Sequence, residues 1–254
     1  MENKKLLIKT EKLRQVFVNG DVEQVVLNDI DSEIYEGDFT IIMGASGSGK
    51  STLLYAISGM RSATGGHIYF CDEDITTKTS DQLAVFRKNN CGFVFQEKCL
   101  IESLSGMDNV LVSGLAVTED KNSIIKNARA LFDKVDITPD LQNKLPSEMS
   151  GGIQQRVAIV RALINSPKVL FADEPTGALN SDSSTKVMDI FNQFNNEGQS
   201  IIMVTHDMNC ACRGNRILYF KDGIMVGELL LDKYTGPSEA RTEKVRGFLK
   251  TMGW

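Results

Sequence analysis

Phe39-Thr40-Ile41-Ile42-Met43-Gly44-Ala45-Ser46-Gly47-Ser48-Gly49-Lys50-Ser51-Thr52-Leu53 is the stretch on which the fold turns. Phe39 to Met43 is a continuous apolar run, the pattern of a parallel strand buried on both faces. Gly44 to Ser51 then matches the phosphate-binding loop pattern in full. A helix follows and ends near Gly59. In such a loop the glycines let backbone N–H groups turn inward around phosphate oxygens. The helix N-terminus adds partial positive charge. Lys50 is placed to reach β- and γ-phosphates, and the Ser51 hydroxyl to ligate Mg²⁺. The competing reading is a chance Gly/Ser-rich turn. The strand before and the helix after count against it.

Val169-Leu170-Phe171-Ala172 is a second buried run, closed by Asp173-Glu174. After a phosphate loop, the first carboxylate of such a pair holds Mg²⁺, usually through water, and the adjacent one polarises the attacking water. An isolated Asp-Glu would instead read as a charged cap at a strand end. Cys91-Gly92-Phe93-Val94-Phe95 ends in Gln96, whose neutral amide has the reach for Mg²⁺ or the attacking water. Taken alone, Gln96 reads as a polar turn residue. Ile201 to Val204 leads through Thr205 to His206, at the carboxyl strand end where open α/β sheets bind ligands. A lone histidine is more often structural, and His67 reads as an ordinary strand residue. Ser150-Gly151-Gly152 opens a helix carrying Val157, Ala158, Val160, Arg161 and Leu163. Serine is a good N-cap and the glycines bare the backbone N–H groups. That makes a second anion site in a chain that already has one. Two such sites far apart suggest that two chains share the nucleotide; an isolated capped helix is the alternative.

With 254 residues the chain is one large domain or two small ones. Hydrophobic content of 42% and charged content of 24% are ordinary for a globular protein. The core is large enough to need no staples. A net charge of −5 argues against a general nucleic-acid binder. No apolar run approaches the ~18 residues of a membrane span. The apolar run near the start, Leu6 to Ile8, stops at Lys9 and is too short for a secretion signal. A cytoplasmic protein is the expectation. Cys71, Cys91, Cys99, Cys210 and Cys212 are odd in number with no paired metal spacing, so reduced thiols are expected. Residues 1–37 read as short strands, with Val25-Val26-Leu27 and Ile30 to Ile34 strand-like and a turn at Asn19-Gly20-Asp21. Gly66 to Cys71 is a further strand. From about 97 to 165 the pattern turns helical, with Ile124, Ile125, Ala128, Leu131, Phe132 and Val135 on one face. A helix from Ser181 has Val187, Ile190, Phe191 and Phe194 on its inner face. Arg216 to Leu231 reads as a hairpin around Asp222-Gly223. Strands alternating with helices imply an α/β domain with a parallel sheet, here with an all-helical insertion at 97–165.

The phosphate loop, Gln96, Ser150-Gly151-Gly152, Asp173-Glu174 and His206, in that order, resemble the ABC ATPase family over about residues 5–232. The chain looks most like the subgroup of macrolide exporters, lipoprotein-release ATPases and bacitracin-type peptide-resistance transporters. Gly44 to Leu53, Phe93-Val94-Phe95-Gln96 and Asp173-Glu174-Pro175-Thr176-Gly177-Ala178-Leu179 carry that closer likeness. The resemblance implies a P-loop NTPase fold: a RecA-like parallel core, an antiparallel β subdomain and the helical subdomain inserted at about 97–165. It implies ATP and Mg²⁺ as cofactors. Phe17 would stack on adenine, and Gly44, Ala45, Ser46, Gly47, Ser48, Gly49, Lys50, Ser51 and Thr52 would hold the phosphates. Ser51, Gln96 and Asp173 would serve the metal. Glu174 would be the catalytic carboxylate, His206 the γ-phosphate switch and Gln96 a sensor of both. Ser150, Gly151 and Gly152 would clamp the γ-phosphate of the other protomer's ATP in a head-to-tail homodimer. Gly177-Ala178-Leu179-Asn180 would join the two sites.

The same resemblance places the segment Leu100 to Val110 against the coupling helix of an integral membrane permease, at the cytoplasmic face of the membrane. The permease would export or remove an antimicrobial peptide, drug or lipid-linked cargo. The alternative is a mechanical, signalling ATPase that works through a permease-like partner without moving cargo. Family members that act on ribosomes or DNA generally carry two ATPase units or long coiled-coil insertions, which this sequence lacks, and no nucleic-acid partner is expected. Two positions depart from the family pattern: Ile153 stands where glutamine is usual, and Asn180 where aspartate is usual. Beyond the likeness, residues 233–254 form an amphipathic tail. Val245, Phe248, Leu249 and Met252 make a helical stripe, and Lys233, Arg241, Lys244, Arg246 and Lys250 against Glu239 and Glu243 leave a net +3. A helix packed on its own domain or on the permease is expected; a basic helix on the membrane surface is the other reading.

Overall fold

The computed structural model describes residues 4–254. Two 14-residue strands, β1 (Leu6–Asn19) and β2 (Val22–Tyr35), form an antiparallel pair turning at Gly20-Asp21. The short strands expected at 25–27 and 30–34 are therefore one strand. Leu27 and Ile30 are an odd number of residues apart yet both buried. A bulge between the Leu13–Ile30 and Gln15–Leu27 pairs, with Asp29 at φ 52°, absorbs the extra residue and restores the alternation. On the other edge of β1, β4 (Gly65–Phe70) pairs antiparallel, followed by the short β5 (Glu73–Asp74), giving the order β2-β1-β4-β5.

A second sheet holds β3 (Phe39–Gly44), β6 (Cys91–Phe95), β7 (Val169–Asp173), β8 (Ser200–Val204), β9 (Arg216–Lys221) and β10 (Ile224–Leu230). Its order is β10-β9-β3-β8-β7-β6. All neighbours are parallel except β10, which returns through the Asp222-Gly223 turn. Every residue of β3 and β8 is buried, which is why their sequences are apolar apart from Thr40 and Ser200. Alternate side chains feed two cores. Ile42, Val204 and Phe171 face the antiparallel sheet and α1 (Lys50–Ile57). Ile41, Met43 and Met203 face the opposite helical layer.

That layer includes α3 (Gly106–Leu115), α4 (Lys121–Lys134), α5 (Pro139–Gln142), a 3₁₀ turn at Pro146–Glu148, α6 (Gly151–Leu163) and α7 (Ser181–Asn196). Ile124, Ala128, Phe132 and Val135 are buried, and Ile125 and Leu131 pack at their margin. Residues 97–105 are loop rather than helix. α6 lies close on β6: a Cβ at Gly92 would fall 2.4 Å from the Ala162 carbonyl oxygen. The helix α2 (Ser80–Asn90), opened by a Thr79/Gln82 capping box, was not expected. It buries only Leu83 and Phe86, too few to mark a periodic stripe. Phe86 meets Phe70 edge-on at 4.9 Å.

After the short α8 (Met208–Ala211) and the β9–β10 hairpin, α9 (Glu239–Thr251) returns against its own domain. Val245 and Leu249 are fully buried, with Phe248 and Met252 packed beside them. Gly227 in β10 makes room for the helix, since a Cβ there would lie 2.6 Å from Met252 Sδ. Arg241 donates from Nε to the Cys212 carbonyl at 2.5 Å and from its terminal nitrogens to the carbonyls of Asp232, at 2.8 Å, and Gly214. Leu249→Ala is expected to lose about 2–5 kcal/mol of stability, the usual cost of emptying a buried leucine site. Urea denaturation measures this, and an unchanged midpoint would contradict the docking of α9.

The five cysteines are free. Burial pushes the Cys210 thiol up to about 11, so at neutral pH it lacks the reactive thiolate. Iodoacetamide at pH 8 should therefore modify the exposed Cys99 while sparing Cys210, and Cys210 labelling should climb only as pH nears 11 or the chain unfolds. Peptide mass spectrometry reads both sites.

Candidate functional site

Parallel pairing brings the ends of β6, β7 and β8 level, beside Ile42 in β3, which runs on two residues to Gly44. Phe95 lies opposite Asp173, Asp173 opposite Val204, and Val204 opposite Ile42. The loop from Gly44 to Lys50 leaves this edge. Gly44 and Gly49 have φ of 148° and 98°. A Cβ at Gly44 would fall 2.0 Å from the Phe220 carbonyl oxygen, and one at Gly49 2.7 Å from that of Val26. Glycine is required at both by the close approach of other backbone. Lys50 is buried, and its Nζ donates to the carbonyls of Gly44 at 2.9 Å and Ala45 at 2.7 Å. Burial lowers its pKa, while the carboxylates of Glu174 and Asp173 work against that shift. The ammonium thus sits inside the arc of the loop with two acids nearby.

Asp173 is held from α1. Its Oδ1 accepts from Ser51 Oγ at 2.9 Å and its Oδ2 from the Tyr55 hydroxyl at 2.6 Å. Burial, together with the Asp173 carboxylate, pushes the Tyr55 phenol up to about 12, so it remains a proton donor at neutral pH. Tyr55 was not singled out from the sequence. The available signal was its spacing, one helical turn beyond Ser51 on the same face.

Glu174 adopts φ 47°, a conformation uncommon for a residue with a side chain. Its N–H donates to the Val204 carbonyl at 3.0 Å. Its Oε1 lies 2.9 Å from Nδ1 of His206; Glu174 is largely buried and His206 is open to solvent. Gln96 is exposed just past β6, and its amide lies against Gly177, where a Cβ would come within 3.2 Å of it. The edge therefore gathers the 44–52 loop, Gln96, Asp173, Glu174 and His206. Phe17 stands on β1 in the antiparallel sheet, half-buried, with the Arg61 guanidinium 4.7 Å from its ring centre.

Ser150, Gly151 and Gly152 lie elsewhere in the chain's surface. Ser150 caps α6, accepting from the Ile153 N–H at 3.4 Å. A Cβ at Gly151 would meet Leu179 at 3.5 Å, and one at Gly152 would meet Ser183 Oγ at 2.8 Å. Their neighbours are the 177–180 loop and the start of α7, not the phosphate loop. Ile153 packs its side chain against the helical core. Asn180 caps α7, accepting from the Ser183 N–H at 2.9 Å. Aspartate would make the same cap, so this departure changes charge and not local structure.

Two links between α6 and the Gln96 segment were not foreseen. Gln155 Nε2 donates to the Phe95 carbonyl at 3.0 Å, and Arg161 donates to the carbonyls of Lys98, at 2.8 Å, and Cys99, at 2.5 Å. They grip the chain on both sides of Gln96.

A family model described as ABC transporter matches residues 27–177. The macrolide export ATP-binding/permease protein MacB of Aggregatibacter actinomycetemcomitans is 41% identical over 222 residues, 87% of this chain. The chain spans about a third of that relative's length, 34%. The uncharacterized ABC transporter ATP-binding protein MJ1508 of Methanocaldococcus jannaschii is 38% identical over 220 residues, 87% of this chain and 98% of its own length. Among solved structures, the dimeric post-hydrolysis state of the ATP-binding cassette MJ0796, bound to ADP and Pi, is similar with a TM-score of 0.82 at 34% identity. That match covers 90% of this chain and 100% of the other. Fold, loop and sequence likeness agree: the chain belongs to the ABC transporter family, as one of its ATP-binding ATPase cassettes.

Proposed function

We propose that the chain hydrolyses ATP to power a membrane permease, with the Glu174–His206 pair as the centre of its chemistry. The observation that carries this reading is their placement. A carboxylate and an imidazole 2.9 Å apart stand at the strand edge from which the phosphate loop departs. In this role Glu174 polarises the attacking water, and His206 holds its carboxylate while facing the γ-phosphate. Lys50 exchanges its loop carbonyls for β- and γ-phosphate oxygens. Gln96 reports the state of the γ-phosphate, and Phe17 stacks on adenine. Ser51 Oγ and Asp173 Oδ1, 2.9 Å apart, are the hard oxygen donors that suit Mg²⁺. The chemistry that Mg²⁺ supplies when bound is neutralisation of charge on the β- and γ-phosphates.

The bared N–H groups at Ser150 to Gly152 serve the nucleotide of a second copy in a head-to-tail dimer. The dimeric state of MJ0796 supports pairing of two cassettes. Ile101, Val112 and Leu115 are exposed in and after the loop that follows Gln96. They suit an apolar partner such as the permease, near residues 100–110, at the cytoplasmic face of the membrane. No helix among the described residues is long and apolar enough to cross a membrane, so the permease would be a separate chain or a further part of a longer one. The kinship with macrolide export proteins points to a drug, antimicrobial peptide or lipid-linked cargo.

Glu174→Gln should bind ATP as the parent does, lose about 10²–10⁴-fold in hydrolysis as expected for a lost general base, and run as a dimer with ATP on gel filtration. A variant that hydrolyses normally, or stays monomeric with ATP, would overturn the role of Glu174. Ile153→Gln should change turnover without creating activity, because the Ser150 cap uses the backbone N–H of residue 153 and not its side chain. A parent without ATPase activity that this substitution rescues would refute that account.

A further inference from the structure

Both oxygens of Asp173 are occupied by donors from one face of α1. Ser51 takes Oδ1 at 2.9 Å, and the Tyr55 hydroxyl takes Oδ2 at 2.6 Å, across 118 residues of sequence. The ring of Tyr55 is itself fixed, packed against the core beneath the antiparallel sheet. A carboxylate held at both oxygens cannot rotate about its last torsion. Hydrogen bonds to an ionised acceptor are short and strong, so the phenol is an effective stay. The geometry points to Tyr55 as a positioning residue of the Mg²⁺ site, holding Asp173 with Oδ1 turned toward Ser51. This rests on the nucleotide site proposed above. Tyr55 touches neither metal nor phosphate in this role. It acts through Asp173, as outer partners of metal ligands do by fixing ligand orientation. The same bond ties the helix that carries the phosphate loop to the strand that carries the acids.

The readout is the affinity for mant-labelled AMPPNP, which is not hydrolysed, measured with excess Mg²⁺ and again with EDTA. The ratio of the two affinities isolates the metal's share. Tyr55→Phe keeps the ring and removes only the hydroxyl. It should cut the ratio by about 10–100-fold, the usual loss for such partners, and leave the EDTA affinity unchanged. Asp173→Asn should cut the ratio too, and the double variant should lose no more than Asp173→Asn alone, because the two groups act as one unit. An unchanged ratio in Tyr55→Phe, an equal loss in EDTA, or additive losses in the double variant would each overturn the inference. If the parent binds no nucleotide in either condition, the nucleotide site fails first and this role falls with it.

Discussion

In the central sheet, β6, β7, β8 and β3 pair so that Phe95, Asp173, Val204 and Ile42 stand side by side. Two backbone bonds carry the pairing past the strand ends. The Glu174 N–H reaches the Val204 carbonyl at 3.0 Å, and the Thr205 N–H reaches that of Ile42 at 3.2 Å. The residues that follow each end therefore emerge at one level: Gln96, Glu174, and His206 one step beyond Thr205. A one-residue slip of β7 would exchange its two faces and turn Asp173 away from Ser51. The register is secured because both faces are buried: Leu170 and Ala172 in one core, Val169 and Phe171 in the other. Packing of the two cores, which has no chemistry of its own, thus sets the positions of the acids.

α6 adds a second constraint. Its start presents Ser150 to Gly152 to a partner, and its body grips the chain around Gln96 through Gln155 and Arg161. In the proposed dimer, Gln96 answers to one nucleotide and Ser150 to the other. A rigid helix bonded to both regions is the sort of contiguous element that can couple them. Among the described residues, the Gln155 amide oxygen is buried without a partner. The bond that Gln155 does make there is the one from Nε2 to the Phe95 carbonyl.

What the sequence made legible follows from the reach of each signal. The strands β3, β6, β7 and β8 announce themselves by apolar runs, and the phosphate loop by glycines at fixed spacing, because both are local patterns. The helical stripe of α4 was readable for the same reason. Tyr55, Gln155 and Arg161 were not, because their partners lie 118, 60 and 62 residues away and two of the three bind backbone carbonyls, which no side-chain pattern records. β2 looked like two strands because its bulge breaks the alternation at Asp29. The short α2 was missed because its buried face is two residues wide.

The tail shows how a surface pattern changes meaning once its partner is known. A basic amphipathic stripe suits a membrane surface as well as a protein groove. Here Val245 and Leu249 are already fully buried, and Gly227 is shaped to admit Met252. Lifting α9 onto a membrane would first uncover those side chains, at roughly 1.5–3 kcal/mol for each large one. It would also break the Arg241 bonds to the Cys212 and Gly214 carbonyls. Those carbonyls lie just beyond α8, on the segment that leads from His206 to β9. The tail therefore braces the far side of the His206 loop: Arg241 turns inward to make those bonds, while Lys244, Arg246 and Lys250 stay exposed.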